Sequence, residues 1–267
     1  VSASVREPAV AGQFYPANPD ALARLVDSML DTPPIEPDEP LARAYVVPHA
    51  GYRFSGSTAS YVYARLRARG PEVRRVVLIG PAHYAPLKGC AVPGTDAWLT
   101  PLGAVPIDMD GCAALVRAGR AAIGDGPHGP EHSLEVQLPF LQRALPDDVP
   151  VLPVVVGQAT VDEVAAMVAA AVAVAPDGTV VVCSSDLSHY LDEASANRQD
   201  ERTAHAVLDL AAKEIGVRDA CGVYALRGLV GWAAEEGLTP RLLHRCTSAD
   251  TAGDPSRVVG YSAFSFR

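Results

Sequence analysis

The chain has 267 residues, 49% of them hydrophobic and 20% charged, and its 22 Lys+Arg against 31 Asp+Glu give a net charge of −9. At roughly 150 residues per domain the length suits one large or two small domains, and the acidic balance argues against nucleic acid or an anionic membrane surface as the main partner. The longest stretches free of Asp, Glu, Lys and Arg, Val149–Val161 and Val164–Pro176, hold 13 residues each, short of the ~20 that a membrane span needs.

The opening VSASVREPAV shows no basic segment followed by an apolar one, so no secretory leader is expected. After PANP, the sequence DALARLVDSMLD sets Leu22, Leu25 and Leu30 at helical spacing. The proline-rich, acidic TPPIEPDEPLA (Thr32–Ala42) reads as a linker. Residues 1–42 are therefore expected to form a helix and linker packed on the main body of a single domain, 1–267. From Arg43 strands and helices alternate. Strands are expected at Arg43–Val47, Arg74–Gly80, Pro150–Gly157, Thr179–Asp186, Arg241–Ala249 and Arg257–Phe266. Turn residues between short apolar pieces over Cys90–Ile107 suggest a meander or hairpin. Helices are expected at Ser57–Ala68 with Ser57 as N-cap, at Asp110–Ala118, His132–Ala144 and Val161–Ala175, and about Asp200–Ile215 and Gly222–Glu236. Uncharged Val/Ile/Leu runs belong to a sheet covered on both faces. The fold class is α/β: a single-domain sandwich with a mostly parallel central sheet, antiparallel additions and helices on both faces.

Five cysteines, Cys90, Cys112, Cys183, Cys221 and Cys246, are an odd number with no CxxC pair. They suggest neither a disulfide framework nor a closed zinc finger, and they suit a reducing, cytoplasmic setting.

Three of the strongest strands run into similar segments: Pro48-His49-Ala50-Gly51-Tyr52, Pro81-Ala82-His83-Tyr84, and Asp186-Leu187-Ser188-His189-Tyr190. In open α/β sheets ligands sit outside the carboxyl ends of the strands. A single histidine there is ordinarily a turn residue; three from three strands point to metal binding or proton transfer. His132 and Glu135, three apart at the start of an expected helix, would share one face towards the same crevice. The other reading of Glu135 is helix-start chemistry. Asp219 reads as an N-cap that puts Cys221 in the first helical turn, where the dipole favours thiolate; taken alone, Cys221 is more often a small buried residue. The chain lacks GxSxG, GxxxxGK[ST] and HExxH patterns, against serine hydrolases, P-loop NTPases and zincins.

The segments REPAVAGQFYP (Arg6–Pro16), VVPHAGYRFSG (Val46–Gly56), LIGPAHYAPL (Leu78–Leu87), EHSLEVQLPFL (Glu131–Leu141), SSDLSHY (Ser184–Tyr190) and ACG (Ala220–Gly222) resemble, in this order, the Memo family (mediator of cell motility), of the AmmeMemoRadiSam system protein B type in prokaryotes. That family is similar in fold to LigB-type class III extradiol dioxygenases. The resemblance implies metal ligands His49, His83 and Cys221. It also implies His189 as general acid/base with Asp186 orienting it, and His132 nearby in the catalytic group. Tyr52, Tyr84, Glu135 and Ser185 from the same segments are the candidate substrate-binding residues. Where the dioxygenases carry a glutamate this chain has Cys221, which softens the site, so Fe(II) is the expected metal with Cu or Zn as competitors. The expected activity is a metal-dependent, dioxygenase-like oxidoreductase acting on a small molecule of aromatic type. A zinc metallohydrolase with Glu135 or Asp186 as base, or a non-catalytic binding protein, are the alternatives. Radical-SAM and AMMECR-type proteins are the partners the resemblance implies.

Overall fold

Charge-free runs of Val and Ile make the centre of the molecule, because a strand covered on both faces needs apolar side chains on both sides. The computed structural model describes residues 4–36, 38–251 and 253–267. In chain order the elements are β1 (Val5–Arg6), α1 (Pro19–Leu30), β2 (Ala44–Val47), α2 (Tyr52–Ala68), β3 (Arg75–Pro81), β4 (Cys90–Val92), β5 (Ala97–Thr100), β6 (Gly103–Pro106), α3 (Met109–Arg117) and β7 (Ala122–Ile123). They continue with α4 (Leu138–Ala144), β8 (Val151–Val156), α5 (Val161–Val174), β9 (Thr179–Ser184), β10 (His189–Leu191), α6 (Glu193–Leu208), α7 (Val223–Glu235), β11 (Pro240–Thr247), α8 (Ser248–Thr251) and β12 (Val258–Phe266).

Strands β2, β9, β3 and β8 lie side by side in that order, all parallel. Every residue of these four strands is buried. β12 adds antiparallel to β2 and carries β10 and β11, while β4 adds antiparallel to β8 with β7 beside it. A separate three-stranded sheet is formed by β1 and the β5–β6 hairpin, so the turn-rich stretch Cys90–Ile107 divides between two sheets. Helices α3, α5 and α7 pack together on one face of the main sheet, and α1, α2 and α4 on the other. The architecture is the expected α/β sandwich. Among the described residues no helix is long and apolar enough to cross a membrane.

Local chemistry explains the helix starts. Asn18 caps α1 by accepting the Ala21 N–H at 2.9 Å, with Pro19 at the first helical position. Its buried side, Leu22, Val26 and Leu30, meets α2 and α4. Thr160 and Glu163 form a reciprocal capping box on α5.

Three helices differ from expectation. α2 begins at Tyr52, five residues before Ser57, with Gly51 as a cap that has no side-chain bond. The stretch expected as one helix over His132–Ala144 is a loop, a 3₁₀ turn at Glu135–Gln137 and a short α4. The helix expected near Asp200–Ile215 starts at Glu193, where Asp192 caps it, and ends at Leu208. Within the expected linker, Pro37 lies outside the described residues.

Candidate metal centre

The strand order builds the site. β9 lies between β2 and β3, so Asp186, just beyond β9, stands between His49 beyond β2 and His83 beyond β3. The Asp186 Oδ1 accepts the His49 N–H at 2.7 Å, which joins two neighbouring strand ends. The N-terminus of α7 then delivers Cys221. Gly222 donates its N–H to Ser185 Oγ at 3.0 Å, the Cys221 N–H reaches Asp186 O at 3.2 Å, and Asp186 N–H donates to Cys221 Sγ at 3.3 Å. A Cβ on Gly222 would sit 2.8 Å from Ser185 Oγ and 2.9 Å from Ser184 O, so only glycine allows this approach.

Hydrogen bonds fix the rings. The Ser184 hydroxyl donates to Ser133 O at 2.6 Å, so its oxygen must accept from the His49 Nδ1–H at 2.9 Å. His49 Nε2 is thereby left without a proton, and Cys221 Sγ lies 3.1 Å from it as a thiol donor. Gln137 braces this pair by donating to Ser184 Oγ (3.0 Å) and Pro48 O (2.9 Å). His83 Nδ1–H donates to Glu131 Oε1 at 2.9 Å, and His83 N–H to Glu131 Oε2 at 2.5 Å. His189 Nδ1–H donates to Leu187 O at 2.8 Å. In each ring a backbone or side-chain oxygen takes Nδ1 and leaves Nε2 for a ligand or a proton, with His49 Nε2 now facing the Cys221 thiol, the arrangement common among metal-binding and base-acting histidines. His132 stacks on His83 with centroids 5.0 Å apart, and its Nδ1 is 3.1 Å from the Tyr84 hydroxyl.

Burial sets the charges. It pushes His49 well below the ordinary imidazole range, helped by the neighbouring His83 and His132, and lowers His132 as well. Burial, then the Asp186 charge, pushes the Cys221 thiol up. The Asp186 carboxyl is raised to about 6 by burial, against the opposing pull of the His49 N–H and the histidine charges. Burial would also raise Glu131, but the bonds from His83 and Ser133 outweigh it and hold the carboxyl at about 2.

Donor atoms of His49, His83 and His132 lie within 4.8 Å of one another, and so do those of His49, Asp186 and Cys221. The structure thus gathers the expected ligands into two groups that share His49, with His83 and Cys221 in different groups. Imidazole with thiol or carboxylate fits a borderline to soft transition-metal ion. The donors open into a cavity of about 750 Å³ walled by Phe14, Phe54, Tyr84, Tyr190 and Tyr261.

Several expectations are corrected here. Glu135 does not face the cavity: it is fully buried and accepts from Arg6 Nη2 (2.8 Å), Ala9 N (2.8 Å), Val10 N (2.9 Å) and the Tyr15 hydroxyl (2.6 Å). Tyr52 is buried with its hydroxyl on Val136 O at 2.6 Å, and Ser185 is buried with its hydroxyl on Asp186 O at 2.9 Å, so neither lines the cavity. Asp186 does not orient His189; the Leu187 carbonyl does. Cys221 precedes the helix by one residue beyond its Gly222 cap, and desolvation there outweighs any dipole effect on the thiol. Asp219 instead accepts the Gly216 N–H at 2.6 Å. Tyr84, His132, Asp186 and His189 do line the cavity. Sequence reasoning missed Glu131, Ser184 and Gln137, whose partners lie 48, 135 and 89 positions away. The one available signal was the acid directly before His132.

Fold and site together define an α/β protein whose strand ends present a histidine- and cysteine-bearing pocket. The family model described as Memo-like protein matches residues 6–265, and the chain belongs to the Memo family. It is 37% identical to a MEMO1 family protein of Methanopyrus kandleri, over 98% of this chain and 99% of that one. It is 36% identical to one of Archaeoglobus fulgidus, over 98% and 100%, and 37% identical to one of Aquifex aeolicus, over 98% and 99%. The crystal structure of an uncharacterized protein from Escherichia coli K12 shares the fold, with a TM-score of 0.52 at 13% identity over 84% of this chain and 99% of that one.

Proposed function

We propose that the pocket holds a transition-metal ion on His49, His83 and Cys221, iron or alternatively copper, and that the protein is a metal-dependent oxidoreductase of dioxygenase-like type. What carries the reading is the meeting of two donor groups at His49 inside one aromatic-walled cavity. A bound redox-active ion would supply Lewis acidity and one-electron chemistry.

The chain's own residues do the rest. Ser184 and Glu131 hold the Nδ1 atoms of His49 and His83, which presents both Nε2 atoms as ligands. Ligation by Cys221 requires loss of the thiol proton now directed at His49 Nε2, so metal uptake releases a proton. His189, fixed through Nδ1, has an open Nε2 to take a proton from a substrate hydroxyl and return it. The Tyr84 hydroxyl and His132 form a second proton-carrying pair on the cavity wall. The rings of Phe14, Phe54 and Tyr261 give a small aromatic substrate its apolar contacts and displace water.

A second reading, zinc-dependent hydrolysis, draws on the three-imidazole group His49, His83 and His132, a donor set that suits a zinc-bound water. Turnover with and without O₂ separates the two: the oxidoreductase stops under anaerobic conditions and the hydrolase does not. In either case a folded His49→Ala variant is expected to lose its metal, and full metal content in that variant would overturn the site.

A further inference from the structure

The chain carries a net charge of −9, yet two aromatic rings of the cavity wall carry arginines. Arg257 lines the cavity with its guanidinium carbon 4.4 Å from the centre of the Tyr190 ring. Arg53 lies 4.7 Å over Phe54, another lining residue. Both arginines are exposed, and among the described residues neither forms an ion pair. The carboxylate nearest Arg257 in sequence, Asp254, accepts the Ser256 N–H at 2.9 Å through Oδ1 and is not ion-paired with Arg257. Stacking on a ring fixes the plane of a guanidinium while leaving its N–H edge free for a two-pronged acceptor.

Tyr190 shows that this platform is built. Its backbone is left-handed at φ 63°, a costly conformation for a bulky residue. A bulge between His189 and Leu191 in the pairing of β10 with β12 accompanies it. The ring is 64% exposed beside the cavity and directly follows the proposed base His189. The strained backbone gains nothing for the core, and the ring it leaves in water is the one that carries the Arg257 guanidinium.

We propose that Arg257, seated on Tyr190 and assisted by Arg53, recognises a carboxylate on the substrate, so that the pocket takes small organic acids with a planar apolar body. The guanidinium edge of Arg257 meets the carboxylate at the mouth, and the body extends between Phe14, Phe54 and Tyr84 towards the histidines. This deepens the proposed function by naming its substrate class, and it stands on that pocket being the substrate site.

The test compares 2-naphthoate with its neutral isostere 2-naphthamide, by calorimetric or ligand-observed NMR titration of the purified protein. The acid is expected to bind at least tenfold more tightly, with the margin shrinking as salt is raised. Arg257→Gln should bring the two within about twofold while leaving amide affinity, circular dichroism and metal content unchanged. Arg53→Gln should narrow the margin by about threefold. Equal affinity for acid and amide, a preference that survives Arg257→Gln, or failure of both probes to bind would each overturn the proposal. The same titration on His49→Ala keeps the two readings apart. An acid preference retained there without metal supports the Arg257 subsite on its own, and metal retained there defeats the metal site alone.

Discussion

Glu131 makes the most consequential side-chain contact in the pocket that is not itself a candidate ligand. Both of its oxygens are occupied by His83, and Oε1 also accepts the Ser133 N–H at 2.8 Å. Replacing it by glutamine keeps the shape but substitutes a donor for one acceptor, so His83 loses its fixed orientation. Glu131→Gln is expected to weaken metal binding roughly 10–100-fold with the fold intact, read by competition with a chelator of known affinity. A second residue gives the chain a pH signature. His128 is buried edge-on to Trp98, and burial with the nearby Arg6 charge lowers its pKa from 6.5 to about 4. Between those values the unfolded chain binds the extra proton, so stability rises with pH across the window and falls as pH drops from 6.5 towards 4. The shift corresponds to about 3 kcal/mol at full extent. Urea unfolding at pH 6.5 and 4.5 should show a smaller difference in His128→Gln than in the native protein; an equal difference would remove His128 from the account. At this scale the sequence displayed the reactive side chains, His49, His83, His189 and Cys221, because they follow strands or precede a helix. It hid their supports, because hydrogen bonds such as that from His49 Nδ1–H to Ser184 Oγ join positions whose distance in space no local spacing encodes.

Among the elements, the segment from Arg6 to Tyr15 gathers four of its donors on one carboxylate, while Arg6 also donates to the His128, Gly129 and Glu131 carbonyls. Glu135 accepts from the Arg6 side chain, two backbone N–H groups and the Tyr15 hydroxyl in a fully buried site. That segment also carries Phe14, whose ring lies 4.7 Å from His132 and whose carbonyl accepts the Tyr52 N–H at 2.8 Å. Glu135→Ala would strand a buried guanidinium and is expected to cost about 3–5 kcal/mol, seen as a lower denaturation midpoint in the absence of metal. A change within 1 kcal/mol would show that the segment is anchored by other contacts. Element boundaries were less legible than element types, for definite reasons. The second turn of α2 contains Gly56, which reads as a loop residue; in the fold a Cβ there would lie 2.7 Å from Met29 Sδ, so the glycine serves the packing of α1 on α2. Pro139, in the first turn of α4, has no N–H for the Glu135 carbonyl, which takes the Leu138 N–H in a 3₁₀ turn instead. Glu135 turns to the N-terminal segment while His132 lines the pocket.

For the whole molecule, the site is a consequence of strand order. The uncharged runs Val76–Pro81, Val151–Val156 and Thr179–Ser184 announce a buried parallel sheet, and so the fold class was readable. That β9 inserts between β2 and β3 was not readable from spacing. It is this insertion that places Asp186 between His49 and His83 and lets α7 bring Cys221 against them. The central claim is that this convergence binds a metal through His49 and Cys221 together. It is tested most directly by elemental analysis of anaerobically purified protein beside its Cys221→Ser variant. Near-stoichiometric iron or copper that falls at least tenfold in the folded variant is the predicted result. Folded native protein without metal, or a variant that keeps its full complement, would contradict the account.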